Sequence, residues 1–283
     1  MKVPKYWAKR VQSVEPPIGR NYKLVSWQWS DASLQDAQAQ ADARLDELID
    51  KAMSGALLEQ YSYSERPLRE AITQSITNQS GRENAVVTRN RYGALVLNTA
   101  DALFIDMDLP QSAPAAAMRA LQRKLGVRTS DPADASVERI AAWSSRHPEL
   151  GLRVYHTAAG LRGLITNELF APAQSETLDI LRELESDPLY VRLCRAQDCF
   201  RARLTPKPWR CGMKMPPVRY PFDDIKQEMR FQEWERRYDR AIAAYAVCQF
   251  VNHFGPTQVH PDIQPILNLH DRVSGVDAAR PLA

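Results

Sequence analysis

The stretch Leu103-Phe104-Ile105-Asp106-Met107-Asp108 constrains the fold more than any other part of the chain. Its apolar positions run without Gly or Pro and a Leu-Pro follows, the pattern of a short buried strand. Strand side chains alternate faces, so Leu103, Ile105 and Met107 share one face while Phe104, Asp106 and Asp108 share the other. The two acids then project side by side and repel as anions unless a cation lies between them. Such a pair reads as hard oxygen ligands for a divalent ion, or as a helix cap beside a solvated strand end. Spacing alone does not choose between these readings.

The segments around this strand supply a fold. Ala85-Val86-Val87-Thr88 and Ala94-Leu95-Val96-Leu97 form a predicted hairpin, turning through Asn90-Arg91-Tyr92-Gly93, that leads into the acidic strand. A helix is expected over Ala115–Leu125, a loop at Thr129-Ser130-Asp131-Pro132, and a second helix over Val137–Arg146. Leu152–Thr157 and Leu161–Thr166 read as strands around an Ala158-Ala159-Gly160 turn. Ser175 starts a helix, Asp187-Pro188 breaks it, and Phe200–Thr205 alternates as a strand. From Leu103 to Thr205 the order is strand, helical stretch, strand, strand, helix, strand. This is an α+β, ferredoxin/RRM-like split βαββαβ core with an added N-terminal hairpin. Its usual form places the fourth strand beside the first, with helices on one face and the other open to a ligand. Parity puts Asp106, Asp108, Arg162, Arg201 and Arg203 together on that open face.

Flanking helices complete the expectation. Residues 1–30 look irregular and aromatic, with Pro16-Pro17 as a turn and Trp27 and Trp29 alternating as on a strand. Helices are expected over Leu34–Met53 and Pro67–Ile76, then one long helix from Asp224 to about His253 with Ile225, Met229 and Tyr238 buried. A last helix spans Pro261–Val273 before a frayed tail. The expected units are an N-terminal helical or irregular region over 1–84, the α+β core over 85–211 and a C-terminal helical region over 212–283.

Composition narrows the partners. A net charge of +3 over 283 residues does not mark the whole chain as a polyanion binder, so any such surface is local. One stretch qualifies: between Arg192 and Arg219 stand Arg195, Arg201, Arg203, Lys207, Arg210 and Lys214 against the single acid Asp198. The same run also reads as scattered surface basics partly paired with the acids between Glu176 and Asp187. The four Cys, at 194, 199, 211 and 248, form no CxxC pair and no usual zinc spacing, and read as reduced packing residues. With no apolar leader at the N-terminus and no long apolar run, the expectation is a cytoplasmic protein without a membrane partner.

Carboxylates holding a divalent ion beside fixed arginines make a phosphate-handling site. Phe104-Ile105-Asp106-Met107-Asp108 resembles the first motif, a hydrophobic run then DxD, of archaeo-eukaryotic primases and primase-polymerases. Tyr155-His156-Thr157-Ala158-Ala159-Gly160-Leu161-Arg162 resembles their second motif, a small-residue turn followed by a basic residue on the returning strand. The resemblance implies an RRM-like core that binds nucleoside triphosphate and DNA or RNA and performs Mg²⁺- or Mn²⁺-dependent nucleotidyl transfer. It implies that Asp106 and Asp108 hold the metal, and that Arg162 binds nucleotide phosphate where the family has a His. Arg201 and Arg203 would hold further phosphates, and Lys207 and Arg210 would extend the anion track. The family's third-motif acid has no counterpart on the Phe200–Thr205 strand, although Asp187 and Asp198 flank it. A non-catalytic nucleotide- or nucleic-acid-binding module on the same fold is the alternative. Tyr155-His156-Thr157 superficially resembles the His-Gly-Thr stretch of some ADP-ribosyltransferases, but lacks its Gly.

Overall fold

Local turn chemistry shapes the centre of the molecule. A computed structural model of the chain describes residues 1–15, 21–55, 67–109 and 132–283. The expected turn at Pro16-Pro17, the helix over Ala115–Leu125 and most of the loop before Pro132 lie outside the described residues. The chain runs β1 (Tyr6–Val14), β2 (Tyr22–Ser30), α1 (Leu34–Met53), β3 (Ala71–Thr77), β4 (Glu83–Arg89), β5 (Leu95–Thr99) and β6 (Phe104–Asp108). It continues through α2 (Pro132–Arg146), β7 (Leu152–Thr157), β8 (Gly160–Ile165), α3 (Ser175–Glu183), α4 (Pro188–Gln197) and β9 (Phe200–Arg203). A 3₁₀ turn (Pro208–Cys211), α5 (Ile225–Ile242), β10 (Cys248–Phe254) and α6 (Gln264–Ser274) follow. The described residues thus form a mixed α+β protein with three antiparallel sheets and six α-helices.

The β4–β5 hairpin closes as expected. Asn90 Oδ1 accepts from the amides of Tyr92 and Ala94, and Gly93 sits at φ +88°, a conformation that suits Gly. A Cβ on Gly93 would also lie 2.1 Å from the Trp234 ring, which presses α5 onto this turn.

The sheets are ordered β3-β4-β5-β9, β10-β7-β8-β6 and β1-β2. The run β7-β8-β6 follows the expected order. The fourth strand does not: β9 pairs with β5, Val96 opposite Arg203 and Asn98 opposite Arg201, rather than with β6. The hairpin expected as an addition thereby captures the strand, because β5 offers an unpaired edge next to it.

Two segments expected as helix are strands. β3, read as a helix from Pro67, carries the β-branched Ile72, Thr73, Ile76 and Thr77 and pairs with β4. Pairing along an available sheet edge overrides the proline signal. The long C-terminal helix stops at Ile242, and β10 then adds to the free edge of β7. In α5, Tyr238 is buried as expected and Trp234 is buried beside it, but Ile225 and Met229 of the expected stripe are exposed. The tail is tied down rather than frayed: the Ala246 and Ala283 amides donate to the carbonyls of Pro281 and Ala246. Residues 1–30, read as irregular apart from the Trp27–Trp29 alternation, contain the β1–β2 hairpin, and Ser33 caps α1 by accepting from the Asp36 amide.

The main core joins both four-stranded sheets, from Val87 and Leu97 through Leu103, Ile105 and Leu152 to Phe200 and Ile266. Among the described residues no helix is long and apolar enough to cross a membrane.

Candidate anion and metal site at the end of β6

The antiparallel register of β6 and β8 sets Asp106 opposite Arg162 and Asp108 opposite Gly160. Gly160 is required there by contact: a Cβ would fall 2.0 Å from the Met107 carbonyl oxygen. β8 can therefore run tight against the acidic strand. The Asp106 carbonyl accepts from the Asp187 amide at 2.8 Å and the Ser186 hydroxyl at 3.0 Å, which fixes the start of α4 beside β6.

Seven charged groups share this end of the sheet: Asp106, Asp108, Asp187, Arg162, Arg203, Lys207 and Arg210. Burial, then the negative charges of Asp106 and Asp187, push the Asp108 carboxyl above its ordinary range, against the pull of Lys207 and Arg203. Burial, then the neighbouring charges of Arg203 and Arg210, push Lys207 down. Burial and the charge of Arg162 push the Arg203 guanidinium down to about 10, with Asp106 opposing. Burial leads all three shifts; beyond it, Asp108 records carboxylates crowded together, and Lys207 and Arg203 record crowded cations. No ion pair within 4.0 Å involves Asp106, Asp108, Arg203, Lys207 or Arg210 among the described residues. Arg203 Nε and Arg210 Nη1 are buried without a hydrogen-bond partner. Unpaired buried donors of this kind are uncommon, and an anion with several oxygens satisfies them.

Two of the arginines expected on an open face do other work. Arg201 grips Glu70 with two hydrogen bonds of 2.8 and 2.9 Å, and Glu70 also accepts from the Thr88 hydroxyl. It ties β9 to the entry of β3. Arg162 is 4% exposed, and its Nη1 donates to the Arg203 carbonyl, to Cys248 Sγ and toward His270 Nε2 at 3.2 Å. The face expected to be open is covered here by α6, whose His270 ring packs on Phe104 and Tyr155. Among the described residues the Asp106–Asp108 end is accessible, with Asp108 exposed and Asp106, Arg203, Lys207 and Arg210 half-buried.

Beneath that end lies a polar network that sequence reasoning did not single out. Asp271 Oδ2 accepts from Arg153 at 2.8 Å, and Asp271 Oδ1 accepts from the Tyr155 hydroxyl at 2.9 Å and lies 2.8 Å from His270 Nδ1. The ring nitrogens assign the His270 tautomer: Nδ1–H donates to Asp271, so Nε2 accepts from Arg162. Burial, then the Arg162 charge, hold the imidazole down to about 4 against the Asp271 hydrogen bond. The adjacent pair His270-Asp271 was the one available signal, and it carried no spacing to tie it to Arg162.

Compared with protein-family models, curated proteins and solved structures, the chain matches none. The candidate site therefore rests on its own geometry.

The donor set can be tested against a divalent ion. Mg²⁺ keeps several waters and is held by as few as one or two carboxylates together with substrate phosphates. Asp106 and Asp108 fit that requirement, and the upward push on Asp108 is the strain that a cation relieves. Of the flanking acids, Asp187 uses its carboxylate to cap α4, accepting from the Leu189 and Tyr190 amides. Asp198 ends α4 in a left-handed conformation and pairs with the Met1 ammonium. Among the described residues no three His, Cys, Asp or Glu side chains are grouped as a metal site.

Proposed function

We propose that the Asp106–Asp108 end of β6 binds a nucleoside triphosphate with Mg²⁺ or Mn²⁺ and carries out primase-polymerase-like nucleotidyl transfer on DNA or RNA. The observation that carries this reading is the pair of carboxylates beside cations left without anionic partners, two of whose N–H groups are buried and unbonded. The β7-β8-β6 order matches three strands of an RRM-like core, although the fourth, β9, pairs with β5.

In this reading Asp106 and Asp108 would hold the cation, whose charge would offset that of the triphosphate oxygens during attack on the α-phosphorus. The 3′-hydroxyl would lose its proton to solvent as its oxygen forms a bond to that phosphorus, the bond to the bridging oxygen breaks, and pyrophosphate leaves with its electron pair. Arg203 and Arg210 offer N–H groups to phosphate oxygens, and Lys207 adds a charge at the half-buried rim. Arg162 supports Arg203 from below through its carbonyl and is a positioning residue. Arg201 holds the sheet through Glu70 and touches no phosphate.

A second reading has an observation of its own. Among the described residues no third acid is grouped at the site, and β9 brings arginines where the resembled family brings a carboxylate. That favours a module that binds nucleotide or nucleic acid without turnover. Titration calorimetry with ATP, with and without Mn²⁺, separates the two. Metal-dependent binding that Asp106→Asn combined with Asp108→Asn abolishes supports the transfer site. Binding indifferent to metal and to the double substitution leaves only the anion-binding module.

A further inference from the structure

A second cavity lies away from β6. It has a volume of about 460 Å³ and opens between the β1–β2 hairpin, the entry of β3 and α5. That volume falls within the range of small-ligand pockets. Its walls include Trp7, Trp27, Phe222 and Phe231. Phe222 and Phe231 contact each other at 5.2 Å between ring centres, and the Arg69 guanidinium lies 4.2 Å over the Trp27 ring. Flat rings and a flat guanidinium together form stacking platforms.

One residue of this wall carries an unsatisfied donor. Trp7 is 6% exposed, it lines the cavity, and its indole Nε1–H is buried with no hydrogen-bond partner. An indole can only donate, so the missing group is an acceptor. A purely apolar guest leaves that donor unsatisfied. Glu228, held by Gln232 on the same helix, adds an acceptor for an exocyclic amine. At the rim Arg219 is exposed and makes no ion pair among the described residues.

We infer that this cavity is a nucleobase site, which takes a planar heterocycle against Phe231 and the Arg69 guanidinium that covers Trp27, an acceptor atom at Trp7 Nε1 and a phosphate at Arg219. The base comes from a free nucleotide or from a single strand, and both present the same chemistry. The inference does not depend on the Asp106–Asp108 reading.

The test uses the full chain in EDTA, which silences any metal-dependent binding at β6. AMP and adenosine are titrated by calorimetry, and a fluorescein-labelled mixed-sequence single strand by anisotropy. Wild type binds AMP or the strand, Trp7→Phe weakens that binding by about tenfold, and Asp106→Asn with Asp108→Asn leaves it unchanged. Because Trp7 is buried, the exposed Arg219→Glu serves as the variant whose folding is not at risk. It weakens AMP or strand binding several-fold and leaves adenosine alone. Binding of AMP assigns the base to free nucleotides; binding of the strand alone assigns it to single-stranded nucleic acid. No binding of either probe, binding insensitive to both cavity variants, or binding lost in the Asp106–Asp108 double variant overturns the inference.

Discussion

Asp106 stands directly opposite Arg162 on the β6–β8 ladder, yet no ion pair joins them, because the Arg162 guanidinium is engaged by the Arg203 carbonyl, Cys248 and His270. An acid beside an arginine that is already occupied leaves its own charge available. This relationship separates the groups that support the site from those that face a ligand.

Arg162→Lys should act on stability. Lysine cannot reproduce the planar fork, and the substitution leaves a buried carbonyl and the His270 ring short of a donor. A loss of about 2–3 kcal/mol in urea unfolding is expected. A variant as stable as wild type would place Arg162 outside the supporting network.

Lys207→Ala with Arg210→Ala should do the reverse. Both side chains crowd like charges, and neither forms an ion pair within 4.0 Å among the described residues. Unfolding free energy should stay within about 0.5 kcal/mol of wild type, because relief of like-charge crowding offsets the packing lost from two half-buried side chains. ATP affinity should fall about tenfold and lose part of its salt dependence, read by calorimetry at two ionic strengths.

Stability should depend on pH through His270. Its imidazole is neutral when folded, held down to about 4 from an ordinary 6.5. The unfolded chain therefore binds a proton that the folded chain refuses. Stability from this group is complete above about pH 6.5 and is lost as pH falls toward 4, by roughly 3 kcal/mol over the window. Chemical unfolding at pH 7 and pH 4.5 should show that slope, and His270→Gln should flatten it.

Gly160→Ala should displace the acidic strand. The new methyl would sit 2.0 Å from the Met107 carbonyl oxygen and 3.0 Å from the Asp108 Cα, both backbone atoms. Overpacking against backbone costs about 1–3 kcal/mol. Thermal unfolding checks the loss, and a metal affinity that falls with it would tie the close approach of β8 to the position of Asp108.

Local chemistry made much of this legible in the sequence. The Asn90–Gly93 turn, the Leu34–Met53 helix behind Ser33, the acidic strand and the β7–β8 hairpin all carry their own signals, and all form. β3, β10 and the partner of β9 were not legible, since each is decided by which sheet edge is free to receive it. The same limit governs the site. Parity placed Asp106, Asp108 and Arg203 correctly on their strands, but Arg162 meets His270 across 108 residues of sequence and Arg201 meets Glu70 across 131. No periodicity reports which distant helix covers a face, or which distant acid takes an arginine out of use.

The central claim, that Asp106 and Asp108 hold a divalent ion beside the Arg203–Lys207–Arg210 cluster, is tested most directly by Mn²⁺ binding followed through loss of the free-ion paramagnetic signal, with ATP present. One Mn²⁺ should bind per chain at pH 7.5 and be lost in Asp106→Asn with Asp108→Asn. Because the Asp108 carboxyl is held above its ordinary range, protons should displace the metal as pH falls, beginning at a higher pH than an ordinary carboxylate requires. Mn²⁺ binding that survives the double substitution, or none at all beside ATP that still binds, would contradict the claim.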